Sequence, residues 1–196
     1  MSEIILQQTF GNIRWTVEVP EERDAIQPLD NSELTRNENV VKMRLAGKSD
    51  FLFWGEPSCQ ISNEVRKVAL SMGYSIVTLY LEDAVEPELE GGVIIDKTDS
   101  GLPYYDFAKS PWATYIDENL GKKFLLLIDE VENVDYSVIS ALSSFIKDKS
   151  HTFDNPDVVI GMIANLDSKE ALDRHVPGTI KAHLRTPHKL TKSSTT

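Results

Sequence analysis

The sequence predicts an α/β protein built on a parallel β-sheet flanked by helices. Three observations predict it. Strand-like and helix-like segments alternate from residue 51 to about residue 180, the pattern of a sheet covered on both faces. Residues 51–54, 124–128 and 158–164 are short continuous apolar runs, as expected of strands buried on both sides. Two of these runs end on residues that can do chemistry, Asp129-Glu130 and Asn165, and open parallel sheets bind ligands at the carboxyl ends of their strands.

The elements follow in order. Residues 4–19 read as a β-hairpin: Ile13, Trp15, Val17 and Val19 alternate after Gly11-Asn12, a two-residue turn in which glycine supplies the positive φ. Pro20 ends it, and 21–31 is a polar linker. Asn31 or Ser32 is expected to cap a helix running to about Leu45, closed by Gly47. After the strand at 51–54, a tight turn leads into a helix over 62–72 that stops at Gly73, and a strand at 75–81 follows. The stretch 82–110 is loop-rich, with a short hairpin near 93–95. Pro111 starts a helix, 123–128 is a strand, 137–148 a helix, 158–164 a strand, and another helix begins near Ser168. Three parts are therefore expected: hairpin and linker over 1–30, the α/β domain over 31–190, and a disordered Ser/Thr/Lys tail over 191–196.

A chain of 196 residues, 41% hydrophobic and 26% charged, can bury the core of one ordinary domain. It has no apolar run near the ~20 residues of a membrane helix. Its amino terminus shows no basic-then-apolar leader pattern, and its one cysteine, Cys59, excludes an internal disulfide. These features favour the cytoplasm. The net charge of −11 argues against coating nucleic acid, which needs a basic footprint. Acids crowd residues 82–99, a solvated loop or a docking surface for a basic partner, whereas after Asp173 only bases appear. The four histidines are too scattered for a metal cluster, and Cys59 reads as a packed thiol.

The turn at 55–62 matches half of a phosphate-binding template, Gly, four residues, Gly-Lys, then Ser or Thr. Gly55 and Ser62 fit, with Glu56, Pro57, Ser58 and Cys59 between, but Gln60 and Ile61 stand where the second glycine and the lysine belong. A β-carbon at the glycine position obstructs the nest of amides that wraps phosphate. Isoleucine supplies no cation: one charge contact at ~4 Å is worth about 4 kcal/mol at an effective dielectric of ~20. Gly47-Lys48-Ser49 spells the end of the motif but precedes the strand, so it reads as a helix stop.

Asp129-Glu130 is the stronger signal. A buried strand delivering these two carboxylates can hold Mg2+ through the first and polarise an attacking water with the second. Asn165, at the tip of the next buried strand, suits a group that orients that water.

Together these pieces resemble the AAA+ domain of MoxR-like ATPases. The matching residues are Phe53-Trp54-Gly55-Glu56-Pro57, Leu81-Glu82-Asp83 through Glu90-Gly91, Pro111-Trp112, Leu127-Ile128-Asp129-Glu130 and Ile163-Ala164-Asn165. The resemblance implies a P-loop NTPase fold with a nucleotide site over Gly55–Ser62, Mg2+ on Asp129 and Ser62, and Glu130 and Asn165 as catalytic groups. It implies a trans-acting arginine finger near 179–184, where His183 takes the aligned position and Arg185 lies two residues on. The family's C-terminal helical lid is expected to be absent. With lysine, finger and lid all altered, the expected protein is a degenerate AAA+ domain with ATP/Mg2+ binding weakened and little or no hydrolysis. It would act as a scaffold or regulatory subunit through a protein partner or as a homo-oligomer. One alternative is a functional or trans-acting ATPase whose lysine is replaced by Lys48, Lys67 or a neighbouring subunit; another is an acidic inhibitor or mimic that binds a host protein.

Overall fold

A computed structural model describes residues 2–20, 34–85, 88–89, 91, 93–97, 103–184 and 187–191. The amino-terminal hairpin forms as the alternation requires: β1 (Ser2–Phe10) pairs antiparallel with β2 (Ile13–Pro20). Gly11 takes φ 56° at the turn. Glu88 fastens that turn, accepting from the Asn12 backbone N–H at 3.0 Å and from its amide at 3.2 Å. Part of the acidic stretch is therefore structural.

Helix α1 (Arg36–Ala46) starts later than Asn31 or Ser32. Thr35 is its cap, because Thr35 and Glu38 close a reciprocal capping box that neither earlier residue can make. The expected linker and tail lie largely in 21–33 and 192–196, outside the described residues. Next come β3 (Phe51–Gly55), α2 (Ile61–Ser71) and β4 (Tyr74–Tyr80). The hairpin expected near 93–95 is β5 (Val93–Lys97) paired with β6 (Pro103–Phe107), separate from the main sheet. The remainder is α3 (Pro111–Asp117), β7 (Lys123–Asp129), α4 (Tyr136–Lys147), α5 (Lys149–Thr152), β8 (Val158–Asn165), α6 (Lys169–His175), α7 (Gly178–His183) and β9 (His188–Lys189).

Seven strands form one sheet in the order β1-β2-β4-β7-β8-β3-β9. The five from β4 to β9 are parallel, and β2 joins them antiparallel through β4, with Val17 opposite Val77. The amino-terminal hairpin is thus an extension of the sheet. The parallel sheet, its flanking helices and the hairpin are the architecture the sequence predicts.

Helices cover both faces, and the strands alternate between them. Phe51, Phe53, Leu125, Leu127 and Ile163 pack with Val41 and Leu45 of α1 and Val65 and Val68 of α2. Leu52, Trp54, Leu126, Ile128 and Met162 pack on the other face with Trp112 of α3, Leu142 of α4 and Leu172 of α6. Each such side chain adds about 1.5–3 kcal/mol of burial. No described helix is long and apolar enough to cross a membrane.

Strand β9 is only two residues long, yet Leu190 N–H donates to Trp54 O at 2.8 Å and holds it beside β3. Burial and the nearby Arg44 and Arg36 push the His188 imidazole below its ordinary value of 6.5. The unfolded chain then binds the proton more readily than the folded one. Stability from this group is present above the unfolded value and is lost as pH falls through the folded one. Denaturant unfolding should show stability falling from about pH 7 to pH 5, with a shallower fall in His188→Gln.

Candidate functional site

The carboxyl ends of β3, β7 and β8 bring the sequence-predicted residues together. Gly55 ends β3, and its lack of a side chain is required: a β-carbon there would lie 2.5 Å from Leu190 O and 3.1 Å from Ile61 Cδ1. Pro57–Cys59 then form a single 3-10 turn in which Cys59 N–H donates to Glu56 O at 2.9 Å. That amide is turned inward on its own loop, so a nest of outward amides is incomplete here. Gln60 takes φ 48°, ψ 39°. This is the left-handed region that favours glycine, occupied here by a residue with a β-carbon. Such a conformation costs roughly 1–2 kcal/mol outside glycine.

Ile61 begins α2 and is 1% exposed, inside the cluster that holds Phe53, Val65 and Leu190. Where the template has a cation, this chain has core. Cys59 is buried in the same cluster, as a packed thiol should be.

Ser62 and Asp129 meet. Ser62 Oγ donates to Asp129 Oδ1 at 2.7 Å, and Glu130 N–H donates to the same oxygen at 3.0 Å. Glu130 stands exposed at φ 57°, the second strained non-glycine residue of the site. Asn165 is engaged elsewhere: Glu132 Oε2 accepts from its backbone N–H at 2.8 Å and Oε1 from its side-chain amide at 2.7 Å. The 3-10 turn Val131–Asn133 after β7 delivers Glu132. His183 is exposed on α7, and Arg185 lies outside the described residues.

Three residues escaped the sequence reading. Glu132 is one. Arg66, one helical turn after Ser62, reaches back over the site, with Nη2 at 3.4 Å from Asp129 Oδ2 and 3.5 Å from the Tyr80 hydroxyl. Its Nη1 donates to Glu18 of β2, which forms an ion pair with it. Spacing of four on a helix could have flagged Arg66. Nothing local could have flagged Glu18, which sits on the hairpin. The lysines weighed as substitutes are committed elsewhere. Lys48 pairs with Asp157 at the amino ends of β3 and β8, the far end of the sheet. Lys67 Nζ donates to Glu38 of α1 at 2.6 Å.

No protein-family model and no curated protein sequence matches the chain. Solved structures do. NtrX from Brucella abortus aligns at 14% identity over 83% of this chain and 37% of its own, with a TM-score of 0.47. The Thermotoga maritima RuvB Holliday junction branch migration motor aligns at 16% identity over 83% and 48%, with a TM-score of 0.44. PCH-2 of C. elegans aligns at 12% over 96% and 51%, with a TM-score of 0.43. The likeness is one of fold. The chain spans between about a third and a half of the length of these structures.

Two substitutions test the loop. Gln60→Gly should raise unfolding stability by about 1 kcal/mol, since it relieves the left-handed strain. Ile61→Lys, which restores the template residue, should lower it by about 3 kcal/mol or more, because it moves a charge into the core. Both are read by urea unfolding.

Proposed function

We propose that this chain is a degenerate AAA+ domain protein with little or no ATP hydrolysis, which serves as a scaffold or regulatory subunit through protein contacts in an oligomeric assembly. One observation carries the reading: the position of the phosphate-gripping lysine holds Ile61, buried at 1% exposure as part of the core. A residue so placed cannot neutralise β- and γ-phosphate charge, and phosphoryl transfer depends almost wholly on such stabilisation. Other features point the same way. The Cys59 amide is bonded within its loop, and Lys48 and Lys67 are paired away from the site. The Asn165 amide is held by Glu132.

Asp129, Glu130 and Ser62 remain as the parts of a hydrolytic site that lacks its grip. The resemblance to MoxR-like proteins supplies the assembly: domains of that family work in rings, so a ring of homologous subunits or of this chain is the natural setting. The acidic balance of −11 suits a basic protein partner better than nucleic acid.

Calorimetric titration with a non-hydrolysable ATP analogue and Mg2+ should show no micromolar binding. A phosphate-release assay should show no turnover above a Glu130→Gln control. Mg2+-dependent turnover that Glu130→Gln abolishes would overturn the reading and favour a working ATPase.

A further inference from the structure

The second unexpected feature of the site is a cation. Arg66 is largely buried, with its side chain 16% exposed, and it stands between two buried carboxylates, Glu18 at 10% and Asp129 at 7%. Three donors converge on Asp129: Ser62 Oγ and Glu130 N–H on Oδ1, and the guanidinium on Oδ2. Both carboxylate oxygens are therefore addressed from within the chain.

A magnesium ion asks for something different. It requires an octahedron of oxygens at about 2.0–2.1 Å and keeps several of its waters. The Ser62–Asp129 hydrogen bond alone would not prevent this, because a hydroxyl can turn from a carboxylate to a metal. The guanidinium can do no such thing. It is permanently charged, has no acceptor, and is held from behind by Glu18. A divalent ion on Asp129 would face the fixed positive charge of Arg66 across Oδ2, the oxygen the guanidinium addresses. The residues present do not fit Mg2+.

We infer that Arg66 is an intramolecular counter-cation that takes the place of the divalent metal at Asp129, and that Glu18 of the amino-terminal hairpin fixes it there. The inference deepens the degenerate-domain reading and rests on it for the meaning of Asp129. It also gives the hairpin a role: extending the sheet places Glu18 on the face of β2 that α2 covers, within reach of Arg66. The negative charge of the strand-end carboxylate is balanced by the fold itself. Arg66 here is a positioning residue, acting on Asp129.

Manganese serves as the probe, because its paramagnetic signal disappears when it binds. Mn2+ is titrated into the nucleotide-free full chain and into Asp129→Asn, Arg66→Met and the Arg66→Met/Asp129→Asn double variant. The wild type and Asp129→Asn should give the same curve, reporting only weak surface association. Arg66→Met should gain a site at least about tenfold tighter, as expected when a fixed like charge is removed. The double variant should lose it. Arg66→Lys, which keeps the charge, should behave as wild type. If wild-type protein binds Mn2+ at a site that Asp129→Asn removes, the inference is overturned, whether or not Arg66→Met folds. If folded Arg66→Met binds no more tightly than wild type, it is overturned as well. No ATP is present, so Mn2+ at Asp129 in a chain without turnover would defeat this inference and leave the scaffold reading standing. Turnover without such a site would do the reverse.

Discussion

Strands β3, β7 and β8, packed by helices on both faces, carry polar side chains only at their ends. Residues 124–128 are wholly inaccessible, between β4 and β8 at the sides and apolar clusters above and below. An unpaired polar atom inside such a run would cost several kcal/mol, so polarity is pushed to the tips. That single constraint sets the rest. It brings Gly55, Asp129 and Asn165 to one edge, sends the structural ion pairs of Lys48 with Asp157 and Lys149 with Asp50 to the other, and makes α2 begin directly over the carboxylate.

The same constraint explains what could be read in advance. Continuous apolar runs marked β3, β7 and β8 within a residue or so, because a strand buried twice tolerates little else. Helix α1 was placed too early, since Asn31, Ser32 and Thr35 are all good caps and only the Glu38 partner separates them. At the site, the residues that a template names were legible: Gly55, Ser62, Asp129. The residues that modify it were not. Glu18 lies 48 positions from Arg66 along the chain, and Glu132 meets Asn165 across 33. Neither pairing leaves a periodic trace in sequence. Both depend on which strands become neighbours.

The loop joins β3 to α2 and β9 through the residues it places at the junction. Gly55 is needed for the close approach of Leu190, Gln60 carries strain, and Ile61 fills the core. Each makes sense as a device for joining β3 to α2 and to β9.

Strand β1 has a consequence of another sort. Among the described residues it pairs only with β2, and it runs from Ile4 to Phe10 without a charge, with Ile4 at 61% and Ile5 at 47% exposure. An edge of this kind attracts other strands at short range. The one break is the irregular register between Ile4 and Leu6. What opposes contact at long range is the net charge of −11, and that repulsion fades beyond about 10 Å at 0.1 M salt. Edge pairing and charge repulsion thus act at different ranges, and added salt shortens the reach of the repulsion alone.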